Sequence, residues 1–134
     1  MISTKGRYAL RVMIDLAENS EKGYIPLKDI AERQQISKKY LEIIVRELVS
    51  GGLIEGTSGR GGGYRLCRDA DAYKIGEILE RMEGTLACVS CLSENAKECP
   101  RRAECRTLPM WSEFNDVVHG YFFSKKLSDL MQKG

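Results

Sequence analysis

Four of the five cysteines in this 134-residue chain stand at positions 88, 91, 99 and 105. Thiolate is the soft donor that binds iron–sulfur clusters and zinc, and spacings of C-x2-C, C-x7-C and C-x5-C let one loop wrap several donors around one centre. Three or four thiolates serve a 2Fe–2S or a 4Fe–4S cluster alike, so spacing leaves the nuclearity open. Zinc is the rival. Four thiolates make a tetrahedral zinc set, but paired C-x2-C knuckles are its usual form and only Cys88 and Cys91 are so spaced. The same pair permits a reversible disulfide. Cys67 stands apart in an alternating apolar stretch and reads as a small core residue.

Composition narrows what such a centre can control. A chain that is 43% hydrophobic can bury one core with an attached element, although roughly a third of the unfolded surface stays wet at this size. The opening Met1-Ile2-Ser3-Thr4-Lys5 lacks the apolar run of a signal peptide, and no stretch approaches a membrane span. These features point to the cytoplasm and to no membrane partner. Thiols stay reduced there, so clustered cysteines act as ligands or redox sensors rather than permanent staples. No Cys-His-Asn, Ser-His-Asp or paired-carboxylate set is recognisable, and His119 is the single histidine; an enzyme is therefore not expected.

The elements that position the cysteines suggest a nucleic-acid partner. The net charge of +2 is uneven: residues 1–70 hold 12 Lys and Arg against 9 Asp and Glu, while residues 71–134 hold 9 against 10. Residues 9–17 carry a wide apolar helical stripe. Pro26 can open a second helix from Leu27 to about Gln35, and Ser37 can cap a third, with Ile36 stapled against Leu41. Leu41, Ile44, Val45 and Leu48 follow the i, i+3, i+4, i+7 rule, and Gly51-Gly52 ends the pattern. This is a helix-turn-helix arrangement. Its outward face presents Lys38, Lys39, Glu42 and Arg46, a set able to touch phosphates and base edges, although a solvated surface has the same composition. Leu53–Glu55 and Tyr64–Cys67 alternate around Gly59-Arg60-Gly61-Gly62-Gly63, which reads as a β-hairpin wing with Arg60 at its tip for a minor groove.

Beyond the wing, Ile75, Ile78, Leu79 and Met82 mark a helix that runs into the cysteine loop. A long helix begins near Thr107 with two apolar rows. One comprises Leu108, Trp111, Asn115, Val118 and Phe122, and the other Met110, Phe114, Val117 and Tyr121. Two apolar sides need two burial partners, so one row is expected to meet the same helix of a second subunit. The seam is placed on the Trp111–Phe122 row, with Asn115 fixing register; a single broad core helix is the alternative. Ser124 is expected to cap a last short helix through Leu127, Leu130 and Met131.

Ser3-Thr4-Lys5-Gly6-Arg7-Tyr8-Ala9-Leu10-Arg11, Ile30–Ser37 with Tyr40-Leu41-Glu42, and Arg60-Gly61-Gly62-Gly63-Tyr64 occur in the order seen in the bacterial winged-helix regulator family of IscR, NsrR and CymR, which the chain resembles over nearly its whole length. The resemblance implies a homodimeric transcription repressor that binds palindromic double-stranded DNA, with an iron–sulfur cluster whose state alters DNA affinity. It implies ligation by Cys91, Cys99 and Cys105. The family's fourth ligand, a histidine, is matched by Leu108, which leaves Cys88 as the extra candidate. Glu42 matches a family glutamate that discriminates operator classes. Ser58 stands where the family has its wing arginine, with Arg60 two places later.

The expected fold is mainly α with a small β-hairpin wing, a winged helix-turn-helix plus a long C-terminal dimerisation helix. Residues 1–82 would be the DNA-binding domain, 83–106 the cysteine-rich sensor loop, and 107–134 the dimerisation helix and C-terminal helix. The alternatives are a zinc-stabilised or thiol/disulfide-switched regulator, or a small electron-transfer protein. The last leaves the basic helix-turn-helix and wing without a role.

Overall fold

Local caps and apolar spacing explain where the helices begin and which way they face. The computed structural model describes residues 2–93, 97 and 99–132. Its elements are α1 (Thr4–Glu18), α2 (Leu27–Gln34), α3 (Lys38–Ser50), β1 (Ile54–Thr57), β2 (Gly63–Leu66), α4 (Ile75–Glu83) and α5 (Leu108–Ser124). Ser3 caps α1 by accepting the Gly6 N–H, and Ser37 caps α3 by accepting the Tyr40 N–H. Ile36 and Leu41 are both buried beside that second cap, as a hydrophobic staple requires. The α3 stripe of Leu41, Ile44, Val45 and Leu48 joins Val12, Met13 and Leu16 of α1 and Ile78 and Leu79 of α4 in one core. The architecture is the expected winged helix-turn-helix with a long C-terminal helix.

Polar contacts fix α2 on α1. Asp15 is only 1% exposed, and a buried carboxylate must find partners. It accepts from Arg33 Nε at 2.9 Å, Arg33 Nη2 at 2.7 Å and Gln34 Nε2 at 3.0 Å. The hydrogen-bonded carboxylate in turn raises the Arg33 pKa above the ordinary guanidinium value. Arg11 adds bonds to the Gln34 side chain and carbonyl.

The wing is sewn to the body at its base and open at its tip. Ile54 pairs with Leu66 and Thr57 with Gly63 in the antiparallel register, and Tyr64 exchanges two backbone hydrogen bonds with Ile25, the residue before Pro26. Gly63 permits that approach, because a β-carbon there would strike the Ile25 carbonyl. Gly59 and Gly61 turn the tip with φ of 87° and 78°. Tyr73, fully buried, donates to the Leu53 carbonyl at 2.6 Å and accepts the N–H groups of Cys67 at 2.9 Å and Arg68 at 3.2 Å. Burial holds its phenol above the ordinary tyrosine pKa. Tyr73→Phe leaves those backbone groups without their partner and should cost about 1–3 kcal/mol in urea unfolding. An unchanged unfolding midpoint would mean that the hydroxyl is not what closes the wing's root.

Three local expectations are corrected. Cys67 is exposed rather than buried: with a period of two it shares the outward side with Arg65, while Tyr64 and Leu66 lean inward. The Trp111–Phe122 row of α5, expected at a subunit seam, is half-buried against its own chain. Asn115 Oδ1 accepts the Cys88 N–H at 3.0 Å, and Phe122 packs on the core. The Met110, Phe114, Val117 and Tyr121 row is the open one, between 44% and 63% exposed. Ser124 closes α5, its hydroxyl donating to the Tyr121 carbonyl at 2.7 Å. The last turn, Leu127–Leu130, is instead started by the Lys126 N–H on Asp129 Oδ2 at 2.9 Å.

The segment after α5 returns to the body. The Ile75 N–H bonds the Lys125 carbonyl, and the Leu127 N–H bonds the Tyr73 carbonyl, so Leu127 is fully buried. Helix α5 also crosses α4 closely, since a β-carbon on Gly76 would run into the Phe123 ring.

Candidate functional site

A basic face is built where α3 meets the wing. Lys38, Lys39, Glu42 and Arg46 are all exposed on α3, opposite the core stripe. Glu42, Arg46 and Val49 share a groove of about 640 Å³ with Thr57, Ser58 and Tyr64 of the wing. The fold therefore brings Glu42, Arg46 and Ser58 together, whereas Arg60 stays exposed at the hairpin tip, outside that groove. Ion pairing sorts the cations of this region. Arg65 is paired with Glu55 across the wing at 2.5 Å, and Arg68 with Glu77 at 2.6 Å. Lys38, Lys39, Arg46 and Arg60 form no ion pair among the described residues, which leaves their charge available to an anionic surface.

The last turn of α4 connects this face to the cysteine loop. Arg81 Nε donates to the Glu47 carbonyl near the end of α3 at 3.1 Å, and Lys5 pairs with the Glu47 carboxylate at 2.9 Å. Two residues after Arg81, Glu83 accepts the N–H of Ser3 at 2.8 Å and its hydroxyl at 2.7 Å. The loop begins immediately afterwards, at Gly84. Sequence periodicity does not single out Arg81, since a contact made across 34 residues leaves no local pattern.

The first cysteine of the loop is attached to the first half of α5 and the last lies against the residue that precedes that helix. Besides its N–H bond to Asn115, Cys88 places its sulfur 3.5 Å from the Trp111 carbonyl. Cys105 lies 3.5 Å from Thr107 Oγ1, just before the start of α5. Hydrogen bonding by the Thr107 side chain, then by its backbone N–H, holds the Cys105 thiol below the ordinary pKa; the Leu108 N–H and the charge of Arg101 add to this. That favours thiolate, the form that ligates metals. Cys91 sits in a single turn, Ser90–Leu92, and the Cys99 carbonyl accepts the Arg102 N–H. All four are free thiols. Among the described residues no three Cys, His, Asp or Glu side chains converge as a metal would require. His119 is stacked on Phe123 at 4.3 Å, lies 3.8 Å from Glu80, and lines a cavity with Ala87, Leu92 and Ser93 of the loop.

The donor set nonetheless suits a thiolate-ligated centre in chemistry: four free cysteines lie on one loop, Cys88 is anchored to α5, and the Cys105 thiol is biased toward thiolate. No helix among the described residues is long and apolar enough to cross a membrane.

Residues 2–133 match the family model Rrf2, iron-dependent transcriptional regulator. The HTH-type transcriptional regulator IscR of Escherichia coli is 35% identical over 130 residues, spanning 97% of this chain and 79% of that protein. The structure of CymR, the global cysteine regulator of B. subtilis, superposes with a TM-score of 0.78 at 37% identity, covering 97% of this chain and 95% of that one. T. potens IscR superposes with a TM-score of 0.73 at 29% identity, covering 100% and 93%.

Proposed function

The chain belongs to the Rrf2 family of DNA-binding transcription regulators, and from that premise we propose that it is a homodimeric repressor whose operator affinity is set by an iron–sulfur cluster on the cysteine loop between α4 and α5. It is a regulator and not an enzyme. The observation that carries the proposal is the clustering of four free thiols on a loop joined directly to α4, the helix whose last turn holds the ends of α3 and α1. Cys91, Cys99 and Cys105 would be ligands, with Cys88 the fourth. When bound, such a cluster supplies a cross-link between these sulfurs that changes with oxidation, iron supply or attack on iron.

The protein's own residues carry the signal. Drawing residues 88, 91, 99 and 105 together shortens and stiffens the loop, and α4 is the first element to feel the change. Arg81 then passes it to the Glu47 carbonyl of α3, and Glu83 to the cap of α1. Since α3 is the second helix of the helix-turn-helix, a small tilt alters how it meets DNA.

On the DNA side, Lys38, Lys39, Arg46 and Arg60 contact phosphates, while Glu42 and Ser58 face base edges from the groove. Neutralising Arg46 or Arg60 with glutamine should weaken binding to every sequence and flatten the plot of log affinity against log salt by about one unit. Glu42→Ala should instead change sequence preference, because a carboxylate accepts from cytosine N4 but repels phosphate. An unchanged salt slope in both arginine variants would take this face out of the interface.

A second reading has its own observation. Cys88 and Cys91 are free thiols in a C-x2-C pair, so a dithiol/disulfide switch is open to the same loop. Anaerobic purification with a visible spectrum and assays of iron, sulfide and zinc separates the readings. Equimolar iron and sulfide supports the cluster; zinc alone, or no metal with a Cys88–Cys91 disulfide formed by peroxide, replaces it.

A further inference from the structure

We propose that Ile43 is a base-reading residue, making apolar contact with the C5-methyl group of one thymine in each operator half-site. The inference rests on α3 being the helix that enters the major groove. Ile43 is 49% exposed. It stands four residues after Lys39 and three before Arg46, so the three share the outward row of α3 opposite Leu41, Ile44 and Leu48.

The surroundings identify what covers it. Lys39 and Arg46 lie one turn to either side of Ile43 without ion-pair partners among the described residues, and Glu47, the carboxylate one turn on, is taken up by Lys5. An apolar protein surface seated on Ile43 would desolvate these charges at high cost. A major groove answers both demands, with phosphates for the cations and, at thymine, the one methyl group that a base edge presents there. Glu42, one residue earlier, is turned toward the wing and lines the groove with Ser58, which Ile43 does not. The two neighbours therefore read different positions: Glu42 a hydrogen-bond donor and Ile43 a methyl.

Uracil-for-thymine replacement tests this, because it deletes only the methyl. An operator is first selected from random duplexes with the full-length protein, and each thymine is then changed singly to deoxyuridine. Loss of one buried methyl corresponds to about fourfold in affinity, hence on the order of sixteenfold when both half-sites are changed. Wild type should show the roughly fourfold loss at each of two symmetry-related thymines and the roughly sixteenfold loss when both are replaced. Ile43→Ala, which keeps its fold because the site is exposed, should lose a similar factor on the thymine operator and show no further loss with deoxyuridine. A wild type indifferent to deoxyuridine everywhere, or an Ile43→Ala variant with undiminished deoxyuridine sensitivity, overturns the proposal. Failure to select any sequence over random DNA instead removes the DNA-reading role of α3, and this proposal with it.

Discussion

Phe114→Glu combined with Val117→Glu is expected to turn the protein into a monomer and weaken operator binding by on the order of 10²–10⁴-fold. Both residues lie on the open row of α5, with Val117 63% exposed, so their replacement should leave the fold of the isolated chain within about 0.5 kcal/mol of wild type. What the charges remove is the apolar surface that we assign to the second subunit. Two half-sites are then bound independently instead of through one linked dimer, which forfeits the effective concentration of the second recognition helix. Sedimentation gives the oligomeric state and anisotropy the affinity. Phe122→Ala, on the inward row, is the contrasting control: it should lower the unfolding midpoint. A wild-type monomer at micromolar concentration would remove both the seam and the palindromic operator.

Serine at Cys91, Cys99 or Cys105 is expected to abolish iron binding and visible absorption outright, since each removes a thiolate that no neighbouring side chain replaces. Cys88→Ser should do the same if Cys88 completes the set. Because the Cys88 N–H bonds Asn115 and a serine hydroxyl can replace the thiol as donor to the Trp111 carbonyl, the serine variant keeps its attachment to α5, and loss of iron would report ligation. Retention of iron in Cys88→Ser would transfer the fourth position to a carboxylate, a small thiol or a residue of the other subunit. Iron retained in all four variants would separate the loop from the centre altogether.

What could be read along the chain was what local physics encodes. Ser37 with Tyr40, the Leu41–Leu48 stripe and the glycines of the wing tip each declare themselves within a few residues, and the structure puts them where those patterns place them. Cys67 could have been placed by strict alternation, because Arg65 two residues earlier cannot face a core. Tyr73, Arg81 and the use of Asn115 could not: their partners lie 20, 34 and 27 residues away. The two rows of α5 are equally apolar on paper, and only packing of Phe122 and Phe123 on the body decides which stays open. Ile43 was visible as an apolar residue off the core stripe. Its meaning depended on Lys39 and Arg46 beside it, which form no ion pair among the described residues.

The central claim is that the loop's state is transmitted to the DNA face. The most direct test compares the operator affinity of cluster-bearing and cluster-free protein, prepared anaerobically and titrated by fluorescence anisotropy at one fixed salt concentration. A coupling of about 1–3 kcal/mol predicts affinities that differ by roughly 5- to 150-fold, with the difference narrowed in an Arg81→Ala variant that still binds iron. Equal affinities for the two forms would contradict the account and leave the centre a purely structural one.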